Sequence, residues 1–222
     1  MLYRFHAKIA LLSIIASLFV SSNAFAGREG ASEAAFVVPY LYGERYEFEG
    51  GASAEFNSDA GFGFNISHFY SNNLAMRFDF MWNSVGYSAT RVLDDNQGTT
   101  EKVGGRLDSF NMGFGADYYF GNGKVSPFVS GNLGWNFTDT NIPAGPSGSV
   151  CWWDPWWGYI CQGYQPTHTE TNYYYGVGGG IRADFARDKF LKIGYYTSWI
   201  DFDHSSDSAE LQSLRIEFGS SF

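Results

Sequence analysis

The chain has 222 residues, a formal net charge of −9 at neutral pH, and an aromatic content of 19%. Such acidity argues against a nucleic-acid partner, whose phosphates need a basic surface. The length fits one domain. After the first residues, no apolar run approaches the roughly 20 residues that a membrane-spanning helix needs.

Residues 1–26 carry Arg4 and Lys8, an apolar centre over 9–20, and then Ser21-Ser22-Asn23-Ala24-Phe25-Ala26. This is the layout of a cleaved secretory signal peptide, and its apolar centre is too short for a comfortable span. The expected mature chain is residues 27–222, one β-barrel domain, more acidic still once the leader's two cations are gone. Its two cysteines, Cys151 and Cys161, are an even number in an exported chain, which predicts a disulfide.

Period-two alternation then recurs along the chain. It predicts eight strands near 35–48, 59–70, 74–88, 106–120, 124–138, 171–185, 190–203 and 210–222. In the fourth, Phe110, Met112, Phe114, Ala116, Tyr118 and Phe120 share one face, while Ser109, Asn111, Gly113, Gly115, Asp117 and Tyr119 share the other. In the fifth, Val125, Pro127, Val129, Leu133, Trp135 and Phe137 form the apolar face, with Phe128 as the exception on the other. Gly121-Asn122-Gly123-Lys124 between them is a tight-turn signal.

Connections alternate between short (71–73, 121–124, 186–189) and long (49–58, 89–105, 139–170, with a moderate 204–209). An up-and-down barrel with both termini in the periplasm has this pattern, with short periplasmic turns and longer extracellular loops. A soluble barrel would turn its apolar face inward. Here the apolar face carries the bulky aromatics and the other carries Gly, Ser, Asn and charge, so the large face is expected to meet lipid. The fold class expected is all-β: an eight-stranded antiparallel up-and-down transmembrane β-barrel.

Parity places Arg45, Arg77, Arg182, Lys192 and Arg215 on the small-residue face, with Glu47, Asp79, Asp117, Asp184 and Glu217. Five cations against five anions predict a polar interior closed by ion pairs rather than a wide pore, since eight strands leave a lumen that side chains can fill. Trp82, Trp135 and Trp199 fall at the outer ends of outward-running strands. Tyr70, Tyr118, Phe120, Phe185 and Phe222 fall at the inner ends. Together these predict two aromatic girdles.

The last strand, residues 210–222, ends on Phe222 and resembles the C-terminal strand by which outer-membrane barrels are recognised by the barrel-assembly machinery. The block FNMGFGADYYFGNGKVSPFVSGNLGW at 110–135, YGVGGGIR at 175–182 and LKIGY at 191–195 resemble the OmpA-like, porin-family or opacity-type outer-membrane barrels. This likeness spans essentially the whole mature chain. It implies the outer membrane of a Gram-negative bacterium, with outer-membrane lipid and lipopolysaccharide as surroundings. The sequence stops at Phe222, so the periplasmic peptidoglycan-binding domain that OmpA itself carries is not expected.

The third long loop holds Trp152, Trp153, Trp156, Trp157 and Tyr159 between Cys151 and Cys161. Clustered aromatics of this kind mark interaction surfaces, here for a host or cell-surface ligand, a glycan or lipid headgroups. The alternative is a ring that packs on the barrel rim and only orders the loop. Farther on, His204-Ser205-Ser206 and Glu210 resemble the His-x-Ser pair and downstream Glu of the outer-membrane lipid A 3-O-deacylases. That would make His204 the base, Ser206 the nucleophile and Glu210 the orienting carboxylate. Asp207 stands where that family has Asn, and the spacing to Glu210 is shorter.

Asp201, Asp203, Asp207 and Glu210 lack the order of a calcium loop and read as a solvated acidic loop. His68 reads as an interfacial polar residue, and the glycines at 178–180 lie mid-strand with no helix following, unlike a phosphate loop. No metal and no cofactor is expected. The function expected is a non-catalytic structural and surface-display barrel whose loops are recognition sites. A narrow channel for ions or small solutes is the alternative, and lipid A deacylation a further one.

Overall fold

A computed structural model describes residues 27–47, 53–92, 100–186, 188–201 and 208–222. Residues 1–26, where a leader is expected, and residues His204, Ser206, Asp203 and Asp207 lie outside the described residues, as does the side chain of Glu47.

The elements are β1 (Ser32–Leu41), β2 (Arg45–Glu47), β3 (Ser53–Phe56), β4 (Asp59–Ala60), β5 (Phe62–Phe69), β6 (Leu74–Val92), β7 (Thr100–Tyr119), β8 (Val125–Pro143), β9 (Gly148–Asp154), β10 (Gly158–Tyr164), β11 (Thr167–Asp184), β12 (Lys189–Ile200) and β13 (Ala209–Ser221). Eight of them close a ring in the order β1-β5-β6-β7-β8-β11-β12-β13, all neighbours antiparallel, with β13 returning to β1. The seam is tight: Ser32 N donates to the Phe222 carbonyl at 3.2 Å, and Phe222 N donates back at 2.8 Å.

The alternation of the sequence becomes the two faces of the wall. One outward row runs Phe36–Phe64–Phe80–Met112–Trp135–Tyr173, each residue opposite the next across successive strands. Ile66 and Leu133, in the neighbouring row, are 57% and 60% exposed. Apolar side chains exposed all round a closed ring are the pattern of a lipid-facing belt.

The turns at 70–73 and 120–124, and the turn that joins β11 to β12, lie at the inner end, where both the start of β1 and Phe222 also lie. Gly121 has φ 103°, a left-handed conformation that suits glycine. Beside the last of these turns, Lys189 Nζ bonds Asp188 Oδ2 at 2.6 Å and holds that carboxyl below its ordinary range.

At the outer end the strands differ in length. β6, β7, β8 and β11 have 18–20 residues, against 8–13 in β1, β5, β12 and β13. A tilted membrane strand needs about 9–11 residues, so the long ones continue beyond the bilayer as two hairpins, β6–β7 and β8–β11.

The first predicted strand needs correction. It leaves the wall at Tyr42, whose N–H donates to Gln212 O at 3.0 Å, near the outer end of its partner β13. β2 then pairs with β3 on the outer extension of β6. Arg45, expected in the lumen, is therefore exposed; it stands opposite Glu55 and donates to Ser53 Oγ at 3.3 Å. Parity cannot be carried across the break at Tyr42-Gly43-Glu44.

The lumen is also less purely polar than expected. Phe69, Ala75, Tyr119, Phe128 and Tyr196 form a buried cluster inside the ring. Small residues make room for them: a Cβ on Gly178 would lie 2.3 Å from the Tyr196 ring, its neighbour across the ladder. Gly178→Val is expected to lower the unfolding midpoint of the refolded barrel in urea, overpacking of this kind costing about 1–3 kcal/mol. The folded fraction can be followed by heat-dependent gel mobility. A midpoint equal to that of the parent would show that Tyr196 does not need this gap.

Candidate functional site

Two places gather the residues singled out by sequence: the lumen and the hairpin above it. The lumen is built in tiers, because inward side chains from opposite strands meet across a narrow ring. At the inner end, Arg182 on β11 makes two bonds to Glu33 on β1, at 2.6 and 2.8 Å, and one to Asp184 at 2.9 Å. Arg28, ahead of β1, reaches the same Asp184 at 2.5 Å. The Arg182 guanidinium also lies 4.0 Å above the Phe190 ring, close enough for a cation–π contact.

The middle tier holds Arg77 between Asp79 and Asp117, both at 2.7 Å. Lys192 joins Asp117 at 2.6 Å and Glu217 at 3.5 Å, and Asn65 donates to Glu217 at 2.9 Å. Phe128 covers the Lys192 ammonium, 4.4 Å from ring centre to Nζ. These side chains are almost wholly buried. Charges so placed persist only when paired and hydrogen-bonded, because removing one partner leaves its mate uncompensated in a low-dielectric site. Arg215 is also buried, on the outer side of this tier, stacked 4.1 Å from the centre of the Tyr196 ring.

Sequence reasoning missed Glu33 and Arg28, which precede the first predicted strand, and the inward aromatics Phe69, Phe190 and Tyr196. Extending the alternation of β1 back by two positions would have found Glu33. The aromatics carry a weaker signal, since they share a face with glycine and serine.

The hairpin of β9 and β10 is a separate two-stranded sheet within the loop between β8 and β11. Cys151 and Cys161 sit opposite each other across its ladder and are joined by a disulfide. Asp154 shapes the tip, its Oδ1 accepting from the backbone N–H of Trp156 at 2.8 Å and of Trp157 at 2.9 Å. Gly158 closes the turn at φ 74°. Trp153, Trp156 and Trp157 are 78%, 84% and 79% exposed, Tyr159 is 62% exposed and Trp152 38%. The ring therefore projects its aromatics rather than folding them against the barrel rim. Trp153 and Tyr159 keep their centres 5.9 Å apart on the hairpin. Residues 148–164 contain one charge, Asp154.

Of the hydrolase-like set, Glu210 is at the start of β13, exposed, opposite Trp199, and accepts from Gln212 Nε2 at 3.2 Å. His204 and Ser206 lie outside the described residues. No cluster of three or more metal-ligating side chains occurs among the described residues.

No protein-family model matches the sequence, and no curated protein matches it. Solved structures do. The outer membrane protein OprG from Pseudomonas aeruginosa superposes with a TM-score of 0.53 at 10% identity, covering 90% of this chain and 99% of its own. Neisserial surface protein A matches with a TM-score of 0.48 at 16% identity over 87% of this chain and 98% of its own. Ail, the attachment invasion locus protein of Yersinia pestis, matches with a TM-score of 0.48 at 11% identity over 87% and 99%. The chain has the fold of an eight-stranded outer-membrane β-barrel.

The lumen tiers and the hairpin are expected to respond separately to mutation. Asp117→Asn removes the carboxylate that Arg77 and Lys192 share, leaving them only Asp79 and Glu217, and is expected to destabilise the barrel by about 3–5 kcal/mol, whereas Asp188→Asn, at the surface, should leave the urea midpoint unchanged. Equal midpoints for the two variants would refute the pairing scheme. Reducing Cys151–Cys161 removes about 2–3 kcal/mol of constraint from the hairpin alone. Limited proteolysis should then cut within 148–164 while the heat-dependent gel shift of the barrel persists.

Proposed function

We propose that this protein is exported by its leader, resides in the outer membrane of a Gram-negative bacterium, and serves as a structural and surface-display barrel. Its recognition element is the hairpin carrying Trp152, Trp153, Trp156, Trp157 and Tyr159. One observation carries this reading: four tryptophans and a tyrosine are held exposed on a disulfide-pinned hairpin. That hairpin also stands above strands about eight residues longer than a bilayer crossing needs. Holding large apolar rings in water is unfavourable, so a partner that covers them gains the area term, on the order of 25 cal/mol per Å².

The hairpin has no cation and one carboxylate, so a polyanion has nothing to pair with. The partner class this favours is an uncharged face that stacks on aromatic rings, such as the ring face of a neutral sugar on another cell. Outer-membrane lipid and lipopolysaccharide surround the belt, and the C-terminal strand ending at Phe222, 78% exposed at the inner rim, is the segment offered to the barrel-assembly machinery. No catalytic step is assigned.

Replacing Trp152, Trp153, Trp156 and Trp157 together with serine is expected to abolish binding of whole cells to neutral-glycan arrays while the barrel still assembles. Undiminished binding by the variant would remove the hairpin from the reading. The channel alternative predicts discrete openings in planar bilayers. The buried cluster of Phe69, Tyr119, Phe128 and Tyr196 supports silence instead. Unshortened acyl chains on lipid A after expression, read by mass spectrometry, are expected in place of deacylation.

A further inference from the structure

Outward of the Arg77–Asp117–Lys192 tier the lumen changes character. Arg215 lies on β13 two residues before Glu217, about 7 Å farther out along the strand. It is 5% exposed, and its Nε has no hydrogen-bond partner. The other lumen cations each meet a carboxylate directly, Arg77 at 2.7 Å, Arg182 and Lys192 at 2.6 Å, and Arg28 at 2.5 Å. Among the described residues none of those carboxylates is paired with Arg215. Its contact is the face of Tyr196, which offers only part of what a counter-ion would.

Arg215 borders a cavity of about 40 Å³, whose polar lining also includes Asn83, Asn111, Tyr174, Ser198 and Ser213. Arg215 is the one charged residue in that lining. Tyr174 is 3% exposed and Asn83 4%, yet the Tyr174 hydroxyl and Asn83 Oδ1 are buried without partners. Buried polar groups are normally satisfied, so several unpartnered ones around one cavity point to a ligand or to water. A water needs about 10–15 Å³ by this measure, so the space suits about three waters or an anion of three or four non-hydrogen atoms.

We propose that the outer half of the lumen is a binding site for a small carboxylate of formate or acetate size, with Arg215 supplying the charge and the Tyr174 hydroxyl a hydrogen bond. A guanidinium presents paired N–H donors in the plane that a carboxylate matches. Charge balance sets the strength. Glu33, Asp79, Asp117, Asp184 and Glu217 oppose Arg28, Arg77, Arg182, Lys192 and Arg215, so the lumen sums to zero and a bound monoanion leaves it at −1. The site is accordingly weak and exchangeable, and it is independent of the hairpin.

The test uses the mature barrel refolded in detergent micelles and titrated with sodium acetate. Acetamide serves as a neutral ligand of the same size, and a bulky sulfonate holds ionic strength constant. The Arg215 Nε–H resonance is the readout. A saturable shift with acetate and none with acetamide is expected. Tyr174→Phe should weaken acetate about tenfold, the loss of one hydrogen bond to a charged group, and Arg215→Gln should abolish saturable acetate-dependent shifts of neighbouring backbone amides. Equal, unsaturable shifts with acetate and acetamide would overturn the proposal and assign the cavity to water. If Arg215→Gln does not refold, by heat-dependent mobility, Tyr174→Phe decides alone, and an unchanged acetate affinity in it overturns the proposal.

Discussion

A β-sheet in hydrocarbon cannot have an edge, because each unpaired backbone N–H or C=O there costs several kcal/mol. The antiparallel ladder from β13 back to β1 removes the edge. The rest of the wall and the lumen follow from that closure. Once the ring is shut, successive residues must alternate between lipid and lumen, and a one-residue slip anywhere would turn charges such as Arg77 outward and aromatics such as Phe78 inward.

Closure also makes the lumen a space with no exit to bulk solvent for most of its side chains. The five carboxylates there are each held by a cation or by several donors, and the aromatic rings fill the space between tiers. Arg182 illustrates the economy: one guanidinium pairs with Glu33 and Asp184 and lies over Phe190. Glycine on this face is the complement of the large side chains. Gly178 yields to Tyr196, and Gly113 would place a Cβ 2.3 Å from the Tyr174 hydroxyl. The glycines on this face are what let the large side chains fill the interior.

How much was legible follows from which forces are local. Alternation is local, so the eight barrel strands, their parity and the short turns could be read from residues 35–222, with ends displaced where a hairpin continues past the bilayer. Cross-barrel pairing is not local. Glu33 and Arg182 are 149 positions apart, and Arg28 and Asp184 are 156 apart, and nothing in either neighbourhood announces the other. Arg45 failed for the opposite reason: its surroundings look like a continuing strand, but the chain leaves β13 after Tyr42 and pairs with β3 instead. Phe128 broke the apolar parity of β8 in the sequence, and the structure gives the reason, since it covers Lys192 inside the ring.

The hairpin of β9 and β10 obeys a different logic from the wall below it. Neither membrane nor lumen constrains it, and its alternation carries no buried face: nearly every residue from 148 to 164 is exposed or half-exposed. A two-stranded ribbon with no covered side is marginal in water. What holds this one is local: the Cys151–Cys161 bond across the ladder, Asp154 accepting two backbone N–H groups at the tip, and Gly158 in its left-handed turn. Fixing the backbone in this way lowers the entropy lost when the rings are covered, which is how a rigid aromatic surface gains affinity without added contacts. The arrangement places order where the barrel does not require it, and it places tryptophan where solvation disfavours it. Those two departures from what folding alone would select are the physical case for recognition at the hairpin rather than along the wall.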